Sequence, residues 1–183
     1  MCLSKWLVLV SAAFFGIVST MGQGRVQLQN KSGTFIDAPV TFLDGSRVGS
    51  GYQAQVFIGL RGTPATSLQP VFPTAPFQLF PDGRPSGYFF YDTLDIPGIG
   101  PGLEVTLAVR VFNGTSWETA TCRGESVLLD LTLGGWTAPA TPLFGLQPFS
   151  VNCIPEPGTY AIFAAGIGLF IATRQRMKTR SRS

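Results

Sequence analysis

Glu104-Val105-Thr106-Leu107-Ala108-Val109-Arg110-Val111 is the stretch on which the fold class turns. Its odd positions are all branched aliphatics, while Glu104, Thr106 and Arg110 share the opposite face. Side chains that alternate in this way bury one side and wet the other only in a β-strand. Two further stretches repeat the pattern. In Ala54-Gln55-Val56-Phe57-Ile58-Gly59-Leu60, the residues Ala54, Val56, Ile58 and Leu60 point one way, with Gln55 opposite. Over 126–133, Val127, Leu129, Leu131 and Leu133 point inward, and Asp130 and Thr132 outward. No comparable helical stripe runs through residues 23–152. The expectation is an all-β domain.

Outward from these strands, weaker ones are expected over 26–30, 34–43, 77–80, 87–96 and 149–152. Turn signals separate them: Asp44-Gly45, Asp82-Gly83, Asn113-Gly114 and Gly134-Gly135. The Pro-rich stretches 70–76 and 139–148 lack ladder donors, so connections or edge segments are expected there. About eight short strands in one unit of this size point to an antiparallel β-sandwich. No fixed-period repeat is visible, which argues against a solenoid or propeller.

The formal net charge of +3 belongs to the chain ends. Between residues 23 and 154 there are seven basic and nine acidic side chains, and seven minus nine leaves −2. That removes the electrostatic basis for nucleic-acid binding. The sequence has no histidine. Its absence excludes Ser-His-Asp and Cys-His nucleophilic sites and removes the commonest transition-metal ligand. No enzyme activity, cofactor or metal is expected.

Lys5 and the uncharged run 6–18, closing on small residues, read as a secretory signal peptide over 1–22, cut near Gly22 or Gly24. A retained anchor is the alternative. Cys122 and Cys153 would remain after export, in a compartment where disulfides persist. Joined, they would close a loop of about 32 residues, for roughly 3.5–4 kcal/mol in the chain-entropy account. Two buried free thiols are the alternative.

The C-terminus, 153–183, has three parts in order. Pro155, Glu156 and Pro157 come first, followed by an apolar run carrying Tyr160, Ile162, Phe163, Ile167, Leu169, Phe170 and Ile171. Arg174, Arg176, Lys178, Arg180 and Arg182 then follow without an acid. As a helix, 159–173 would span about 22 Å, short of a bilayer core of about 30 Å. Snorkelling cations and local thinning can cover the deficit. The basic tail biases its side to the cytoplasm and the body outside. A buried core helix is the alternative reading of the run.

This order closely resembles the PEP-CTERM sorting signal of Gram-negative bacteria. The resemblance implies recognition by a membrane cysteine transpeptidase, the exosortase, and cutting near Pro155-Glu156-Pro157, much as a GPI signal loses its tail. It implies a transient membrane contact, export and surface processing, often beside exopolysaccharide production. It covers residues 153–183 alone and carries no catalytic residue into the chain. The stretches 53–60, 87–97 and 145–150 also resemble the uncharacterised ectodomains that precede such tails, which implies no activity.

Four aromatics crowd Gly87-Tyr88-Phe89-Phe90-Tyr91-Asp92, with Tyr88 and Phe90 on one strand face and Phe89 and Tyr91 on the other. A solvent-facing pair could stack on sugar rings; a strand covered on both faces is the structural alternative. Trp117 and Trp136 lie beside turns and could line a carbohydrate site or plug the end of the fold. Asp92, Asp95 and Glu104 are the only acids close enough in sequence to suggest paired carboxylates for glycoside hydrolysis. Solvation, or pairing with arginines such as Arg110, is the expectation for them. No Asp-x-Asp spacing suggests calcium. Gly98-Ile99-Gly100-Pro101-Gly102 does not open a helix and is no phosphate cradle. Asn30-Lys31-Ser32 and Asn113-Gly114-Thr115 match the glycosylation pattern, which carries little weight in the bacterial setting that the resemblance implies.

These readings converge on an exported, non-enzymatic protein of the cell envelope or extracellular matrix with a structural or adhesive role. The alternative is a carbohydrate-binding module acting on exopolysaccharide through Tyr88, Tyr91, Trp117 or Trp136.

Overall fold

The aliphatic row of 105, 107, 109 and 111 becomes the spine of the observed fold. The computed structural model describes residues 22–135 and 137–154. Residues 1–21 of the expected signal peptide, Trp136, the Pro155–Pro157 motif, the apolar run and the basic tail all lie outside the described residues. Among those described, no helix is long and apolar enough to cross a membrane.

In chain order the strands are β1 (Gly24–Gln29), β2 (Lys31–Ser32), β3 (Ile36–Asp37), β4 (Val40–Phe42), β5 (Tyr52–Leu60), β6 (Gln69–Pro70) and β7 (Ala75–Leu79). They continue with β8 (Pro85–Ile96), β9 (Glu104–Asn113), β10 (Cys122–Glu125), β11 (Leu129–Thr132), β12 (Thr141–Pro142) and β13 (Phe149–Cys153). One 3-10 turn, Ala65–Ser67, is the only helical element among the described residues. The described residues are all-β, as their period-two pattern requires.

Its layering differs from the expected sandwich. The strands form one curled sheet, half a barrel, in the order β12-β1-β8-β7-β5-β9-β10-β13-β4, with β11 also on β9 and β6 on β5. The β2–β3 hairpin stands apart. The reason lies in the long strands. Phe89 and Pro85 of β8 pair with β7, whereas Phe90 to Ile96 pair with β1, so one strand serves two walls. Likewise β9 pairs with β5 along one edge, and with β11 and then β10 along the other. Two hydrogen bonds draw the edges inward. Arg25 N–H donates to Gly134 O at 2.9 Å, and Gly87 N–H donates to Val48 O at 2.9 Å. Paired edges leave few free backbone groups.

Pairing is antiparallel except at two places. β1–β12 and β13–β4 are parallel, the latter joining Phe149 to Val40. Proline sits in the two-residue strands β6 and β12 and at the first residue of β8, where its missing donor is tolerated, but Pro76 lies inside β7, so the stretch 70–76 is not wholly connection or edge.

Val105, Leu107, Val109 and Val111 are fully buried against Ala54, Val56 and Ile58 of β5 and Val26 and Leu28 of β1. Each such side chain contributes about 1.5–3 kcal/mol relative to exposure. β8 keeps its own row inward through a bulge. Between the Leu28–Tyr91 and Val26–Leu94 pairs, two residues of β8, Asp92 and Thr93, face one of β1, Gln27, so Phe89, Tyr91, Leu94 and Ile96 all reach the core.

Several sequence expectations are corrected. Leu60 is 59% exposed, because it ends β5 at the turn into Arg61. Val127 is 57% exposed, because the strand expected from 126 begins only at Leu129. There, Ser126 Oγ accepts from Val109 N–H at 3.0 Å, taking over the ladder. Thr106 is buried, not wet. Its hydroxyl accepts from Gly62 N–H at 2.9 Å and donates to Asp130 Oδ1. The strand expected over 34–43 splits into β3 and β4 around Ala38-Pro39. Gly134-Gly135 does mark a turn, Gly135 exchanging two backbone hydrogen bonds with Ala138, but Gly134 also bridges β1 at Arg25, and a Cβ there would collide with the Pro139 carbonyl.

Candidate functional site

Two regions matter for function: the end of the folded body and the outer face of β8. At the body's end, β13 lies between β10 and β4. Cys122 and Cys153 are direct cross-strand partners with Cα atoms 3.9 Å apart, and their sulfurs are bonded. Cys122 N–H donates to Asn113 Oδ1 at 2.9 Å, and Ile154 N–H donates to Thr121 O at 2.8 Å. The strand is therefore held through Ile154, the residue before Pro155. The carbonyl of Thr121 and the disulfide restrain adjacent residues from the same neighbouring segment.

On β8, alternation puts Phe89 inside, edge-to-face with Phe77 at 5.6 Å. Tyr91, partly buried, also packs on the core. Tyr88 and Phe90 face outward, Tyr88 half-buried and Phe90 44% exposed. The expectation of a strand covered on both faces thus fails for Phe90.

Tyr88 is engaged by its own chain. Its hydroxyl donates to Asp37 Oδ1 at 2.6 Å. Lys31 Nζ stands 4.6 Å and the Arg47 guanidinium 5.6 Å from the ring centroid. The hydrogen bond to Asp37, with a smaller push from burial, raises the Tyr88 pKa above the ordinary tyrosine value, against an opposing pull from Arg47.

What places these groups is Asn30, buried completely at the end of β1. Its Nδ2 donates to Ala38 O at 2.8 Å and Gly87 O at 3.0 Å, and its Oδ1 accepts from Phe89 N–H at 2.8 Å. One side chain thus bolts the β2–β3 hairpin, which carries Lys31 and Asp37, to β8. Gly87 makes the approach possible. Its φ is +75°, and a Cβ there would stand 2.8 Å from Val40 O. In sequence Asn30 registers only as part of a glycosylation match; buried as it is, it cannot be modified.

Trp117 belongs to a separate, structural cluster. It packs half-buried over Phe57, Leu68 and Ala108, edge-on to Phe57 and Phe112. Arg110 inserts between, 4.1 Å from the Phe57 centroid and 5.0 Å from that of Trp117. Its Nε donates to Glu125 at 2.9 Å and its Nη2 to Ala65 O at 2.9 Å. Trp117 is thus a lid on a small second core.

The three acids singled out in sequence do not converge. Asp95 pairs with Arg25 at 2.8 Å, Glu104 pairs with Arg61 at 2.5 Å, and Asp92 is exposed on β8. Arg110 takes Glu125 instead. Among the described residues no three carboxylates or thiolates gather as metal ligands. Shallow depressions also mark the surface of the described residues. One of about 120 Å³ is lined by Arg61, Glu104, Asp130, Leu131 and Thr132. Another, of about 280 Å³, lies beside Tyr52, Gln53, Thr74 and Pro76.

No protein family, curated protein or solved structure matches this chain.

Proposed function

We propose that this is an exported, non-enzymatic protein with a structural or adhesive role at the cell envelope or in the extracellular matrix, sorted and processed at Pro155-Glu156-Pro157. The carrying observation is the Cys122–Cys153 bond beside Ile154. A disulfide suits an oxidising compartment, and this one restrains the strand that leads directly into the motif. A transpeptidase acting there would work beside a cross-linked body, and the load of a membrane-held tail would fall on a cross-linked strand.

Intact-mass spectrometry of the protein from its host, separated into membrane and medium, tests this. The expected species lacks the signal peptide, ends near the motif and is two hydrogens lighter than the dithiol. Recovery of the globular portion from the cytosol, with Met1 and Arg182 still attached, would refute it. The carbohydrate-binding alternative is favoured at one place, the outer face of β8, where Phe90 is offered to solvent.

A further inference from the structure

We propose that the outer face of β1 and β8 binds an acidic polysaccharide, with a sugar ring on Phe90 and its carboxylates met by Lys31 and Arg47. This rests on the adhesive reading above and names what the surface adheres to. Phe90 lies directly opposite Gln29 in the β1–β8 ladder. Gln29 Nε2 donates to Gln27 Oε1 at 3.2 Å, so two amides lie along the strand beside the ring. An amide has more donors and acceptors than one bond uses, which suits sugar hydroxyls. Tyr88, two residues along, stands roughly 6.5 Å from Phe90 on the same face. Over its ring lie Lys31 and Arg47.

Neither cation has an ion-pair partner among the described residues, whereas Arg25, Arg61, Arg84 and Arg110 all do. Of the nearby acids, Asp37 is taken by the Tyr88 hydroxyl, and Asp44, on the turn before Arg47, accepts from Ser46. At the Tyr88 ring itself two cations face one carboxylate, on a body whose net charge is −2. At the other end of the same strand stand Asp92 and the Arg25–Asp95 pair. An anionic chain would therefore seat at the Lys31 end. A neutral glycan would leave the two cations without a role. Phosphate-rich polymers and anionic membranes need more cations than two. Carboxylates spaced by sugar rings fit the alternation of ring, amide and cation.

Affinity electrophoresis of the full chain, purified in detergent, tests this through sodium polygalacturonate, with dextran and anionic phospholipid vesicles as comparisons. Polygalacturonate is expected to retard the protein, less so at high salt. Phe90→Ala, and Lys31→Gln combined with Arg47→Gln, should each weaken retardation at least about tenfold, at unchanged urea midpoints. Lys31→Arg should retain it. Equal retardation by dextran, equal capture by vesicles, or indifference to both variants would overturn the site. So would no retardation at all, an outcome that leaves the export reading to the mass measurement.

Discussion

Replacing Asn30 with alanine strips three interior backbone groups of their partner at once. Ala38 O and Gly87 O lose a donor, and Phe89 N–H loses its acceptor. A buried group left unsatisfied costs about 1–3 kcal/mol, so the three together put the loss at roughly 3 kcal/mol at the low end. Water entering the vacated space relieves part of the upper range, which keeps the expectation near that figure. Against a typical domain stability of about 5–15 kcal/mol, the loss is large. A urea slope of about 1–3 kcal/mol per molar translates it into a midpoint lower by roughly 1–3 M. The assay is urea unfolding of the oxidised chain, followed by tryptophan fluorescence. Asn30→Asp is the companion variant. It keeps an acceptor for Phe89 but turns the donor that serves two carbonyls into an oxygen, so it should be at least as damaging. A midpoint shift below about 0.3 M for Asn30→Ala would refute the reasoning, since the slope then leaves under about 1 kcal/mol for all three groups. A local readout accompanies the global one. With the hairpin unbolted, Asp37 leaves the Tyr88 hydroxyl and the tyrosine should ionise nearer its ordinary value.

Three further outcomes are expected. Converting Cys122 and Cys153 together to serine should lower stability by roughly 3.5–4 kcal/mol, the chain-entropy value for a loop of about 32 residues. A loss under about 1 kcal/mol in the same urea assay would place the stabilisation elsewhere. In ultraviolet absorbance titration Tyr88 should ionise above about pH 10, and Asp37→Asn should bring it down. Because the folded value is raised, the bond's contribution is present below about pH 10 and is lost as pH rises through the folded value; no downward movement in Asp37→Asn contradicts the assignment. Finally, Phe89→Ala should cost about 3–5 kcal/mol, whereas Phe90→Ala, on the wet face, should stay within about 0.5 kcal/mol. Equal costs would mean that the face assignment of β8 is wrong.

Strand character was legible wherever one face is apolar, because the side-chain period of a strand is local and survives any arrangement of neighbours. The rows at 54, 56 and 58 and at 105, 107, 109 and 111 needed no tertiary information, and neither did the pairing of Phe89 with Tyr91 on one face. The same local rule failed at Leu60 and Val127, where a strand ends or a serine interrupts the ladder. It also failed at Thr106, whose burial depends on Gly62 and Asp130 from other segments.

By itself the sequence determined the all-β class, the aliphatic rows of the core, and the turns at Gly45 and Gly83, but not that Pro76 would sit inside β7. The tertiary structure alone decided that the sheet curls instead of splitting into two, because that depends on β8 and β9 each serving two sets of partners. It decided that Leu94 and Ile96 stay inward, since the bulge beyond Tyr91, opposite Gln27, resets the alternation of β8. Asn30 carries no periodic signal, yet its three bonds reach residues 8 to 59 positions away. The pairing of Val40 with Phe149 is of the same kind. Contacts of that span are chosen by which surfaces fit once the chain has folded, and no local spacing encodes them.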